Sequence, residues 1–201
     1  MAALAIVQLV RSTSGDFAFA GLITAVYVVA GAVGQPLLGR LIDRFGQGAV
    51  LAVSGVLSFL AFTGMALTLD PAPGAAIVLA AAAGISTPPL EPALRALWPR
   101  LVSPGPQLKA AFSLDAGAQE IIFIVGPLLT VAGIAAFGPV GNLLFAGGLG
   151  LIGALAFIVN PASRAASRTT SGRRRSGFDA DLHPAAPRSV RSPILEPAVA
   201  R

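Results

Sequence analysis

Cysteine is absent from this sequence, and histidine occurs once, at His183. Disulfides and thiolate metal sites are therefore excluded, and a lone imidazole in a polar stretch is a poor start for a metal centre. The same scarcity removes a Ser/His/Asp nucleophile set, and no glycine-rich phosphate loop is present, so the chain does not read as an enzyme. No cofactor and no metal is expected. Charge is scarce too. Only 11% of the 201 residues are charged, whereas a soluble domain carries about 25%.

What fills the space is apolar. Hydrophobic residues make up 55% of the chain and the mean hydropathy is +0.79, which places it in the membrane by composition. A helix needs about 20 apolar residues to cross the hydrocarbon core. No charge occurs for 23 residues between Asp16 and Arg40, 25 between Arg44 and Asp70, 20 between Asp70 and Glu91, and 43 from Ile121 to Ser163. The last run is long enough for two spans, and FGPVGN, Phe137 to Asn142, is the turn-like break between them. Helices are predicted at about 17–38, 49–69, 75–98, 111–136 and 140–160. The opening MAALAIVQLV is apolar but reaches Arg11 after ten residues, only half a bilayer at about 1.5 Å per residue. It lacks the basic start and small-residue cleavage site of a signal peptide, and is read as the last half of a first membrane helix.

Alternating spans put Arg40, Arg44, Arg100, Lys109 and the region 161–201 on one side, and Arg11 alone on the other. The positive-inside rule makes the first side cytoplasmic. Residues 1–160 carry six basic and six acidic side chains, so the net charge of +5 belongs to 161–201, with its eight Arg against Asp179, Asp181 and Glu196. That region, rich in Ser, Arg, Pro and Ala, is expected to be a basic, disordered cytoplasmic tail, with contact to anionic lipid headgroups as an added role. A nucleic-acid partner is not expected, because the folded part has no basic excess.

The stretch GRLIDRFGQG, residues 39 to 48, breaks the apolar pattern between the second and third helices. Gly39 and Gly46 allow close backbone approach and positive φ. Asp43 can accept from a helix N-terminus, and Arg40 and Arg44 can hold a carboxylate or a phosphate headgroup. The pattern resembles the signature loop of the major facilitator superfamily, G-x-L-x-D-R-x-G-R-K-x-x-L, with Gly39, Leu41, Asp43, Arg44, Gly46 and Leu51 at matching places and Gln47 and Gly48 replacing the two basic residues. Residues 1 to 160 as a whole look like the N-terminal six-helix half of such a transporter, of the kind found in high-GC bacteria. The resemblance implies an all-α, multi-pass helical bundle in the bacterial inner membrane. It also implies a conformational-lock loop at Gly39, Arg40, Asp43, Arg44 and Gly46 that docks on the other half in the outward-open state. A topology-fixing turn whose arginines only obey the positive-inside rule remains the alternative.

Four further ionisable residues are candidates for a proton or substrate site. Glu91 and Arg95 share a helix face four residues apart. Asp115 sits near the start of the fifth span. Glu120 lies about nine residues into it, roughly 13 Å along the axis and close to the midplane, where a carboxylate is costly and points to a cavity or a proton site. A structural pairing of Glu120 with Arg95 or with a backbone donor between helices, and of Glu91 with Arg95, is the competing reading. Pro88, Pro89 and Pro92 interrupt the fourth span and Gly126-Pro127 the fifth, and irregular backbone at such depth belongs inside protein or along a cavity. Gly126-Pro127 is weakly similar to the antiporter motif G-P-x-x-G-G, but Thr130 and Val131 stand where glycines are expected, so that subclass is not implied. Gly147, Gly148, Gly150 and Gly153 read as helix-packing positions.

Secondary active transport of a small molecule by alternating access is the function that fits, with the lipid bilayer and the small-molecule substrate as partners. A complementary C-terminal six-helix half, or a second copy, would complete the cavity. A truncated or frame-shifted gene product, with non-native sequence from about residue 161, is the expected history. A non-transporting membrane scaffold or assembly protein is the rival. The topology is testable in this cysteine-free background. Single cysteines at Gln47 and Ser103 should react with an impermeant maleimide from the cytoplasm, and one at Pro73 from outside. Labelling of positions 47 and 73 from the same side contradicts it.

Overall fold

A computed structural model describes residues 1–69 and 72–160; Asp70, Pro71 and residues 161–201, including the expected basic tail, lie outside the described residues. The described chain is helical from end to end: α1 (Ala2–Ser14), α2 (Phe17–Phe45), α3 (Gln47–Thr68), α4 (Pro73–Ile85), α5 (Leu90–Arg95), α6 (Trp98–Leu101) and α7 (Pro106–Val159). The described residues form an all-α architecture whose long apolar helices suit a membrane.

Local chemistry sets the junctions. Gly15, at φ 69°, ends α1 and donates its N–H to Arg11 O at 3.0 Å, the left-handed cap that glycine favours. Asp16 then caps α2, its carboxylate accepting Ala18 N–H at 2.8 Å. At the other end of α2 a single residue, Gly46 at φ 91°, separates it from α3. Proline acts at the third junction. Pro88 and Pro89 carry no N–H to continue the ladder of α4, so the expected fourth span is broken into α4 and α5.

α7 is two spans. Gly138, at φ 71° and ψ 176°, bends it within the predicted FGPVGN break. The arms run back alongside each other. Asp115 on the first arm reaches α5, while Gly48 at the start of α3 lies near Ile158 at the end of the second arm. The second arm is antiparallel to α3, with Gly55 against Ala154 and Leu151, and Gly147 against Phe62. A glycine at each of these places lets the helices meet without a side chain between them, the mode of association that lipid favours. Among the described residues, four helical stretches are long and apolar enough to cross a membrane: Phe17–Phe45, Gln47–Thr68, Pro73–Arg95 and Pro106–Val159. α1, with 13 residues, is too short to do so at about 1.5 Å per residue.

α4 lies against both α2 and α3, and α1 against α2 and α7. The buried core of Ile6, Leu9, Ile23, Phe62, Met65 and Leu143 joins α1, α2, α3 and the second arm of α7. Several hydroxyls bond to their own helix, Thr24 to Ala20 O, Thr63 to Phe59 O and buried Thr130 to Gly126 O, all within 3.0 Å, while buried Ser58 of α3 donates across to Ala83 O of α4 at 3.3 Å. Asn142 is less well satisfied. It is 2% exposed, its oxygen presses on Gly133, and its amide nitrogen has no partner among the described residues.

α2 packs closely on α4 through glycine. A Cβ on Gly84 would collide with Tyr27 O and stand 3.0 Å from Gly31 N, and one on Gly34 would collide with the Ile85 backbone. These obstacles are backbone, which no rotamer change relieves. Gly84→Ala should therefore lower stability by about 1–3 kcal/mol, the usual cost of overpacking, read as an earlier unfolding transition in mixed micelles. Gly74→Ala, where nothing lies within 4 Å, should be neutral. Equal transitions for Gly84→Ala and wild type would contradict the glycine-mediated crossing.

Candidate functional site

The charged residues of the α2–α3 junction, α5 and the start of α7 collect at one end of the bundle. Two links show it: Gln47, the first residue of α3, donates to Ala93 O of α5 at 3.2 Å, and Arg95 of α5 donates to Asp115 of α7. Arg11 and the bend at Gly138 lie at the opposite end.

Residues 39–45 of the signature stretch are helical. α2 runs through Gly39 to Phe45, and the connection shrinks to Gly46. Two expectations are corrected accordingly. Gly39 has no positive φ, and a Cβ there would meet nothing within 4 Å; the turn needs one glycine, and Gly46 supplies it. Asp43, exposed on the last turn of α2, accepts no hydrogen bond from a helix N-terminus among the described residues. Arg40 and Arg44 are exposed as well, and Arg44 lies over its neighbour Phe45 with its guanidinium carbon 5.4 Å from the ring centroid. Among the described residues these three charged side chains form no ion pair. The stretch therefore presents two cations and one anion on the outer face of a helix end.

Arg95 has two partners. Its terminal nitrogen is 3.0 Å from Glu91 Oε1, the i,i+4 pair expected on one helix face, and its Nε is 2.7 Å from Asp115 Oδ2. The two bonds differ in weight. Glu91 is half exposed, whereas the side chain of Asp115 is only 8% exposed. A surface pair contributes little, while a buried carboxylate deprived of its only cation is costly. Glu120 does not join them. The alternative pairing of Glu120 with Arg95 is corrected: Arg95 is taken by Asp115. The reason is helical geometry, since residues five apart stand about 140° apart around the axis at 3.6 residues per turn. Glu120 projects from the first arm of α7 beside exposed Ile121, Ile122 and Phe123, with no partner among the described residues. It lies fourteen residues after Pro106 and eighteen before the bend at Gly138, near the middle of that arm.

A second polar cluster, not anticipated from the sequence, sits at the break after α4. Thr87 donates its hydroxyl hydrogen to Ala83 O at 2.8 Å and accepts from Tyr27 at 3.4 Å; its carbonyl accepts from Gln35 Nε2 at 3.2 Å. Tyr27 and Gln35 lie two turns apart on α2 and both face the break. The signal was present as one glutamine and the only tyrosine in an apolar run, opposite a Thr-Pro-Pro step. Among the described residues no group of three His, Cys, Asp or Glu lies close enough to hold a metal ion.

Comparison with known families yields one finding. The sequence model of the Major Facilitator Superfamily matches residues 1–198. Neither the curated proteins nor the solved structures yield a match. The family match rests on nearly the whole chain, and it agrees with an all-helical, highly apolar fold and with the Gly-x-Leu-x-Asp-Arg-x-Gly pattern at the α2–α3 junction. The chain thus belongs to the major facilitator superfamily, a family of membrane transporters.

Proposed function

We propose that this chain serves secondary active transport of a small molecule by alternating access, as one helical bundle of a transporter whose second bundle faces it across the substrate path. The observation that carries the reading is the set of charges the bundle leaves unpartnered. Arg40, Asp43 and Arg44 stand exposed at the end of α2, and Glu120 stands exposed midway along an otherwise apolar arm. A carboxylate at that depth is not placed against lipid tails without cost, and such residues by default face a cavity or a partner helix. In this reading Gly39, Arg40, Asp43, Arg44 and Gly46 form the lock surface that meets the second bundle, and the open space over Gly39 gives that bundle room for close approach. Arg95, Glu91 and Asp115 hold the gate end together, and Glu120 carries the coupling proton. The positive-inside rule puts the lock surface and residues 161–201 on the cytoplasmic side of a bacterial inner membrane.

The test joins this chain to a complementary facilitator bundle and measures uphill transport in vesicles under an imposed pH gradient. Concentrative transport is expected from the joined protein. Glu120→Gln keeps shape and hydrogen-bonding capacity but cannot titrate, so it should reach the membrane and bind substrate yet lose pH-driven accumulation at least tenfold. Absence of any uphill transport in a well-inserted joined protein contradicts the transport reading. Unchanged pH coupling in well-expressed Glu120→Gln contradicts the proton role and returns the carboxylate to helix packing.

A further inference from the structure

α5 is a six-residue helix, Leu90–Arg95, with a break on each side. Before it, Pro88 and Pro89 interrupt the ladder, and Leu90 N–H turns back to Pro88 O at 2.9 Å. After it, Leu97 N–H goes to Leu94 O at 2.9 Å instead of continuing to Ala93. Ala93 O is thereby left without the backbone donor that a continuing helix would give it, one of the orphan carbonyls of a helix C-terminus. So short a helix does not hold itself together in isolation. Ala93 is 5% exposed, so water is a poor substitute for the missing donor.

The donor comes from another helix. Gln47 Nε2 reaches Ala93 O at 3.2 Å. Gln47 is the first residue of α3, directly after the one-residue turn at Gly46, so its backbone is rigidly tied to the exposed charges of the α2 end. Two residues beyond Ala93, Arg95 is clamped to Asp115. The last turn of α5 is thus held from two directions, by a neutral amide from the α2–α3 junction and by a carboxylate from α7.

We propose that Gln47 is the positioning residue of α5. Its side-chain amide caps the α5 C-terminus, couples α5 to the α2–α3 junction, and keeps Arg95 within reach of Asp115. The coupling is a hydrogen bond from an uncharged donor to a buried carbonyl, so it is independent of ionic strength, unlike a pair of surface charges. A displacement of the lock surface is passed to α5 through this bond.

Hydrogen–deuterium exchange of the full chain in lipid nanodiscs tests the coupling directly, whether or not the chain transports. Gln47→Leu and Gln47→Glu remove the donor at similar size. In both, exchange of the segment 90–101 should rise about tenfold, as expected for the loss of one hydrogen bond from a locally opening unit. Exchange of 54–68 in α3 should stay at the wild-type level. Gln47→Lys, which restores an N–H donor, should bring 90–101 back toward wild type. Unchanged exchange of 90–101 in Gln47→Leu overturns the proposal. So does an equal rise in 54–68, which makes Gln47 a general stability residue, and so does a Lys variant that exchanges like Leu.

Discussion

The charged end of this bundle depends on a single constraint: a backbone carbonyl in a membrane must find a donor inside the protein. Pro88 and Pro89 remove two donors in succession, and α4 cannot continue. Two carbonyls near the break are answered from neighbouring helices. Gln35 of α2 supplies Thr87 O and Gln47 of α3 supplies Ala93 O. Gln35 can reach because α2 and α4 lie so close, and they lie so close because Gly31, Gly34 and Gly84 put backbone against backbone. The glycine crossing and the proline break are therefore one device. The first brings a donor in, and the second creates the need for it.

This device shapes the functional surface. With α5 tied to the α2–α3 junction and to Asp115, the end of the bundle behaves as one piece rather than as three loops. Arg40, Asp43 and Arg44 project from it with no ion pair among the described residues, available to another surface. Opposite in character is the first arm of α7, an apolar face interrupted by Glu120. The proposed transport role draws on both: the charged end would engage and release a second bundle, and Glu120 would carry the proton.

Much of the fold was legible because it rests on length and charge spacing. Uncharged runs of 20 to 43 residues mark every stretch that spans, and FGPVGN marks the bend at Gly138. Misjudged features depended on a single dihedral or on a distant partner. Gly39 and Gly46 look alike in sequence, yet only Gly46 adopts positive φ, since α2 absorbs Gly39 into its last turns. The fourth span reads as one apolar run, and its three prolines signalled an interruption without showing that it becomes a true gap. Within the site, the Glu91–Arg95 pair follows from i,i+4 spacing alone. The choice of Asp115 over Glu120 as the second partner is a matter of tertiary register, which spacing along one helix cannot convey. Gln47 reads in the sequence as a missing charge, whereas its role is that of a neutral donor.

The most direct test of the account is a double-mutant cycle on Arg95 and Asp115, read as unfolding free energy in mixed micelles. Asp115→Asn removes the buried charge, and Arg95→Met leaves it without its cation. If the pair clamps α5 to α7, Arg95→Met alone is strongly destabilising, and the double variant loses clearly less than the sum of the two single losses. Additive losses, or a harmless Arg95→Met, would contradict the clamp and with it the picture of the charged end as one rigid piece.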